Sequence, residues 1–390
     1  MTVEPLHNAP PRETIGRETA LRFRMQYQAA AYAALEILQG GGVDRVYCDY
    51  HDDFVVRHST ESGPSYHFFQ VKTKSKLSQQ WTLVEVFALK KTGALDTEEK
   101  LQNIRDSIAG KLFAHTVQFG EQCRAVTILS NVHFKDDVEQ AVEALQAGSS
   151  SKPHLSRLLD KFGSIFAPGK TLTPVELKKA QAKLSLAPGV HHIGDTLEPF
   201  TVAARQAIWT YSEIDLRSHE IDEIARSLVE LVMTKSCERI SGCTTTDLDQ
   251  ATAVSLKDLL DVLSISTPVY ENLLAGHDPQ AIKSASILQR KLKQAGASEA
   301  SIETASRQKV AWDVWLRTNR HVHTEMDLEA LLQEIETACT NWLLAGGRLI
   351  DLRALLAQLL ATDFSKGFKT LDGDLLFGAV MAAMVRRGAR

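Results

Sequence analysis

Long hydrophobic runs are missing from this 390-residue sequence. No stretch of about 18 apolar residues occurs, which excludes an ordinary helical membrane span. The N-terminus has no apolar signal core, so the expected location is cytoplasmic. Cysteine is scarce: Cys48, Cys123, Cys237, Cys243 and Cys339 are odd in number and show no C-x-x-C spacing. They read as reduced thiols rather than a disulfide frame or a zinc site. An excess of basic charge is also absent. With 44 Lys and Arg against 48 Asp and Glu the net charge is −4, which excludes a chain that coats DNA through bulk charge. A DNA enzyme needs only a basic groove, but one copy alone should bind DNA weakly. No G-x-x-x-x-G-K-[ST], H-E-x-x-H, G-x-S-x-G or G-x-G-x-x-G occurs, so any ATP-driven step must come from a partner. Hydrophobic residues at 44% and charged residues at 24% exclude wholesale disorder.

What is present concentrates in residues 46–74, VYCDYHDDFVVRHSTESGPSYHFFQVKTK. Three runs rich in β-branched and aromatic residues are separated by turn signals, at His51 and Asp52 and again at residues 59–65. The pattern predicts a β-meander. Alternation along the third strand places Gln70, Lys72 and Lys74 on one face, and His67, Phe69, Val71 and Thr73 on the other. Asp53 opens the neighbouring strand, so an acid, an amide and a lysine converge at one edge of a sheet. A carboxylate and an amide oxygen are hard ligands suited to Mg²⁺, and a nearby lysine can orient water or neutralise developing charge. The plain alternative is a turn aspartate and a solvated strand lysine, because D…QxK is a short pattern.

The chain before and after this stretch alternates helix and strand. Residues 1–17 are polar, contain three prolines and read as a loose leader. Residues 18–39 predict a helix closed by a glycine triplet, with Leu21, Met25, Gln28, Tyr32 and Leu35 on one stripe. Gln28 is then an amide on a buried face and needs a partner. Helices are expected over 97–120, 136–147, 154–162, 174–182 and 221–235, with strands over 125–130 and 183–186. Residues 148–153 read as a linker or loop. His191 and His192 are adjacent and diverge, which makes them poor joint metal ligands. From residue 245 onward everything reads as helix, with Trp312, Trp315 and Trp342 on apolar stripes that suit packing.

The first-helix pair Tyr27 and Gln28, the HDDFVV run at 51–56 and the FQVKTK run at 69–74 together resemble the PD-(D/E)xK nuclease superfamily in its Q-x-K variant. More closely, they resemble the double-stranded-DNA endonuclease domain of CD-NTase-associated antiphage effectors, in particular nucleases paired with a HerA-like hexameric ATPase. Ile128, Leu129, Ser130 and Asn131, a strand ending in Ser-Asn, match more weakly. The resemblance covers about the first third of the chain and departs at Gln70, where the superfamily name expects an acid.

The resemblance implies an α/β restriction-endonuclease-like sandwich with a central mixed sheet over residues 1–240. An all-α assembly or partner-binding domain would follow over 241–390. It implies that Asp53, Gln70 and the Val71 carbonyl hold Mg²⁺, with Mn²⁺ as a second candidate, and that Lys72 orients the attacking water. Gln28 would support the site from the first helix, Asp52 would be the fallback carboxylate, and Lys74 would contact a DNA phosphate. The implied partners are double-stranded DNA, a homo-oligomer and the ATPase. The helical second half does not resemble the sensor domain that binds cyclic oligonucleotides in such effectors, which favours control by assembly. The alternative is a non-catalytic scaffold built on a degenerate nuclease fold.

Overall fold

The computed structural model describes residues 15–240, 244–362, 367–368 and 370–388. Most of the expected leader, Cys243 and the terminal Arg390 lie outside them. The chain divides into two compact units. One runs to Tyr211 and includes Leu216–Leu256; the other comprises Ser212–Asp215 and the chain from Lys257 onward.

The first unit opens with α1 (Ile15–Ala34), which tightens into a short 3₁₀ turn (Leu35–Gln39) stopped by Gly40 in the left-handed region. Its expected stripe is the buried one, since Met25, Gln28 and Leu35 are all enclosed. The meander follows as β1 (Val43–Tyr50), β2 (Asp52–Thr60) and β3 (Gly63–Lys72). Next come α2 (Leu83–Phe87), α3 (Glu98–Arg105), α4 (Ile108–Gln118) and β4 (Cys123–Ser130). The single helix expected over 97–120 is therefore two. Ser107 ends the first by donating to the Ile104 carbonyl and caps the second by accepting from Gly110 N–H. The turn is so tight that a Cβ on Gly110 would lie 2.0 Å from the Ile104 oxygen.

Then come α5 (Asp136–Ala147), α6 (Pro153–Phe166), α7 (Pro174–Gln181), β5 (Leu184–Ala187), α8 (Glu198–Ser212) and α9 (Ser218–Cys237). The unit closes with α10 (Thr245–Thr252) and β6 (Ala253–Val254). The sheet order is β5-β4-β3-β2-β1-β6. β1, β2 and β3 are antiparallel neighbours, β3-β4 and β4-β5 are parallel, and β6 runs antiparallel to β1. The sheet is thus mixed, as expected. Tyr47, Val55, Phe68, Val126 and Ile128 join one core with side chains from α2, α4, α5 and α6. The alternate residues Val46, Cys48, Phe54 and Val56 are buried too. They face the other way, where α1 and α9 pack against the sheet.

One expectation fails here. Residues 253–254 are strand, not helix, because Val254 and Ala253 pair with Val46 and Tyr47. Two residues carry no periodicity, so the sequence pattern could not show them. The same stretch brings Asp249 onto the Tyr47 hydroxyl at 2.6 Å and beside Arg57. The first unit accordingly continues past residue 240 to Leu256.

The second unit contains α11 (Leu256–Val262), α12 (Thr267–Ala275), α13 (Ala281–Gln294), α14 (Glu299–Asn319), α15 (Glu325–Leu344), α16 (Leu349–Ala361) and α17 (Gly373–Gly388). Its regular elements among the described residues are all helices, as the apolar stripes predict. Trp312, Trp315 and Trp342 are buried. α14 and α17 touch so closely that a Cβ on Gly378 would lie 2.0 Å from the Gln308 carbonyl oxygen. Among the described residues no helix is long and apolar enough to cross a membrane.

Candidate active site

The β1-β2 hairpin turns through His51, whose φ of 67° lies in the left-handed region that histidine tolerates better than most residues. That turn brings Asp52 and Asp53 to the start of β2. Pairing between β2 and β3 runs from Thr60↔Gly63 to Phe54↔Phe69. Beyond it the Asp53 carboxylate replaces the ladder: its Oδ2 accepts the Val71 N–H at 2.6 Å. β3 meanwhile stays paired to β4 as far as Lys72↔Ser130. Asp53 therefore sits where β2 ends its pairing with β3, with Gln70 and Lys72 just downstream on β3.

Burial raises the Asp53 carboxyl from its ordinary value to about 6. The Lys72 charge and the Val71 N–H oppose that rise, while Asp52 and Asp49 add to it. Gln70 is 8% exposed, and its Oε1 is enclosed with no hydrogen-bond partner. An unsatisfied buried amide oxygen costs about 1–3 kcal/mol, so its persistence calls for a ligand. A buried carboxylate, an orphaned amide oxygen and a strand carbonyl form a hard oxygen set that fits a divalent cation. Among the described residues no group of three or more His, Cys, Asp or Glu could hold a metal, so any such site must draw on neutral oxygens.

The other expected site residues are placed differently. Gln28 is fully buried but turned away: its Nε2 donates to the Thr196 carbonyl at 3.1 Å, and its Oε1 accepts the Gly194 N–H at 2.9 Å. It ties α1 to the loop before α8. The α1 residue that reaches the site is Gln26, whose Nε2 donates to Asp53 Oδ1 at 3.0 Å. Sequence reasoning missed it because Gln26 lies off the buried stripe, and nothing in its spacing marks it.

Asp52 is occupied elsewhere. Its Oδ1 accepts the Asp53 N–H, and its Oδ2 lies 3.2 Å from His115 Nε2 on α4. His115 in turn stacks on Phe68 at 4.5 Å. Asp52 thus braces the hairpin against α4 rather than standing beside Gln70.

Lys74 does not follow the strand alternation, because β3 ends at Lys72. Its Nζ donates to Glu85 Oε1 at 2.7 Å and to the Gln80 carbonyl at 3.1 Å, and lies 4.3 Å from the Trp81 ring centre. An ammonium so engaged is not poised for a DNA phosphate. His191 is exposed and His192 stacks on Tyr32 at 3.9 Å, so the pair serves no common ligand.

A family model described as Cap4, dsDNA endonuclease domain, matches residues 14–236. The chain belongs to that family. The match spans more than half of the sequence and contains every site residue described above. The matched segment carries the family's description as a dsDNA endonuclease domain. No curated protein matches.

Among solved structures, the Cap4 SAVED/CARF-domain containing receptor of Acinetobacter baumannii aligns at 8% identity and a TM-score of 0.34. The alignment covers 61% of this chain and 45% of that one. The same receptor with the cyclic trinucleotide 2'3'3'-cAAA gives the same TM-score over 43% of its length. The Moraxella osloensis receptor aligns at 9% identity and 0.33, covering 62% of this chain and 46% of that one. The chain thus spans less than half the length of these receptors, and likeness this loose carries no argument.

Proposed function

We infer that the Cap4 nuclease domain of this chain is a metal-dependent endonuclease on a restriction-endonuclease-like sandwich. It hydrolyses phosphodiester bonds of double-stranded DNA with relaxed sequence preference, as an effector of antiphage defence. The observation that carries the reading is Asp53 at the end of β2-β3 pairing, bound to the Val71 N–H next to Gln70, whose buried oxygen is orphaned, and within reach of the Lys72 charge. Asp53, Gln70 and the Val71 carbonyl would hold Mg²⁺ or Mn²⁺. When bound, the ion supplies Lewis-acid polarisation of the phosphoryl oxygen and a more acidic water. Lys72 orients the attacking water and neutralises charge developing on the phosphate. Val71 N–H and Gln26 hold the Asp53 carboxylate in one orientation, and the Asp52-His115 contact fixes the hairpin that carries it.

The partner reading rests on chemistry as well as resemblance. A net charge of −4 predicts weak DNA affinity per copy, which multivalent assembly offsets. A homo-oligomer docked on a HerA-like ATPase would supply both the assembly and the ATP-driven step this sequence lacks.

The test is cleavage of supercoiled plasmid in Mg²⁺ and in EDTA, by wild type and Lys72→Ala, alone and with the ATPase. Metal-dependent nicking lost in Lys72→Ala is expected. No cleavage in any condition by a folded protein would overturn the enzyme and leave a scaffold.

A further inference from the structure

The strongest structure outside the reacting groups lies where β3 and β4 leave the sheet together. Two side chains tie the strand exits to each other. Asn131 makes a two-point contact with the main chain of Lys74: its Oδ1 accepts the Lys74 N–H at 3.0 Å and its Nδ2 donates to the Lys74 carbonyl at 2.9 Å. Trp81 closes the other side. Its Nε1 donates to Ser130 Oγ at 2.9 Å. Its main chain donates to His133 O at 3.1 Å and accepts from Lys135 N at 2.9 Å. Its ring carries the Lys74 ammonium, which Glu85 holds from the other end. Glu85 is fixed in turn by the capping box it forms with Thr82 at the start of α2.

Ser130 is the register partner of Lys72. The clamp therefore grips the residue across from Lys72 and the residue two positions after it. None of its members approaches Asp53, yet together they determine where the Lys72 backbone can be. A lone strand end would fray at this point, because β2 has already ended its pairing with β3 at Phe54↔Phe69. β4, the Asp53 carboxylate on the Val71 N–H and the clamp remain to hold the end of β3. Ser130 is fully buried and also accepts the Val132 N–H at 3.1 Å, so it cannot drift without breaking the turn after β4.

We propose that Asn131 and Trp81 are positioning residues for Lys72, clamping the exit of β3 to the exit of β4 so that the lysine is held at the reacting phosphate. The proposal rests on the nuclease reading above. It also explains why Lys74 is engaged within the protein: the second lysine of the K-T-K run anchors the first.

The experiment is steady-state cleavage of double-stranded DNA in Mg²⁺ by full-length wild type, Lys72→Ala, Asn131→Ala, Asn131→Asp, Trp81→Phe and Ser130→Ala. Melting temperature and DNA affinity in EDTA are measured on each. Misplacing a catalytic group by about 1 Å costs on the order of 100-fold, so Asn131→Ala and Trp81→Phe are expected to lower kcat about 10- to 100-fold. KM and DNA affinity should be unchanged. Asn131→Asp keeps the acceptor for Lys74 N–H and should recover part of the rate. Trp81→Phe combined with Ser130→Ala should be no slower than Ser130→Ala alone, since Ser130→Ala already removes the Trp81–Ser130 hydrogen bond along with the acceptor for Val132 N–H.

Unchanged kcat with a lowered melting temperature would overturn the proposal and make the clamp merely structural. Raised KM with unchanged kcat would overturn it in favour of direct DNA contact by Trp81. Wild-type cleavage that survives Lys72→Ala would overturn the lysine's role and the clamp with it. No wild-type cleavage would refute the nuclease reading first, leaving no reaction for the clamp to serve.

Discussion

Asp53 illustrates what a poised residue costs. Its carboxyl ionises at about 6 in the folded chain against an ordinary 3.8, mainly because it is buried. Below pH 3.8 it is protonated both folded and unfolded, and no penalty exists. As pH rises through 6 the folded state must carry a buried charge, and stability is lost. At about 1.4 kcal/mol per pKa unit the penalty approaches about 3 kcal/mol before partial solvation reduces it. Asp53→Asn should therefore abolish cleavage yet stabilise the metal-free protein by about 1–3 kcal/mol at pH 7.5, with the gain vanishing near pH 4. Urea unfolding in EDTA at both pH values checks this, and an Asn variant less stable at pH 7.5 would contradict it.

The two α1 glutamines separate in the same way. Gln28→Ala empties a fully buried site and strands the half-buried Gly194 N–H and the Thr196 carbonyl, and should cost about 1–3 kcal/mol while leaving cleavage per folded molecule intact. Gln26→Ala should leave stability nearly unchanged and lower kcat. The reverse pattern in melting and kinetic measurements would restore Gln28 to the site.

At the scale of elements, much was legible because the rules are local. The meander followed from β-branched runs and turn residues, and α5 begins and ends where its periodicity does. Asp53, Gln70 and Lys72 were legible because strand alternation places neighbours predictably. Lys74 was not, because alternation stops where the strand stops and a tryptophan seven positions on captures the ammonium. The break between α3 and α4 was hidden in Gly110, which reads as a tolerated helix glycine but admits a backbone contact no side chain would allow. Gly110→Ala should accordingly cost about 3 kcal/mol or more, since the displaced atoms are backbone rather than flexible side chain. A shift in urea midpoint below that size would show that the α3-α4 corner can relax.

At the scale of the whole molecule, two half-enclosed histidines set the acid limit. Burial lowers His67 and His192 to about 4, with His58 and Arg124 adding to the first and His191 to the second. A depressed histidine pKa means the unfolded chain takes up protons first. The stability these groups contribute is complete above pH 6.5 and is lost as pH falls from 6.5 to 4. Asp53 acts in the opposite sense over 3.8 to 6, but His51, His58 and His154, also lowered by burial, act with the first two histidines. The urea midpoint should drop between pH 7 and pH 4.5, and His192→Phe, which keeps a ring against Tyr32, should flatten the drop. Equal midpoints would contradict the burial argument.

The extent of the first unit belongs to this scale too, because β6 and Asp249 return to β1 from far along the chain and no local pattern announces a long-range return.

The central claim is that Asp53 and Gln70 hold the catalytic cation. It is tested most directly by titrating Mn²⁺ into wild type, Asp53→Asn and Gln70→Met in the presence of DNA, reading the free aqua ion by electron paramagnetic resonance. The account predicts saturable binding by wild type and its loss in both variants, with their folds intact. Undiminished binding in either variant, or none by wild type at millimolar Mn²⁺, would contradict it.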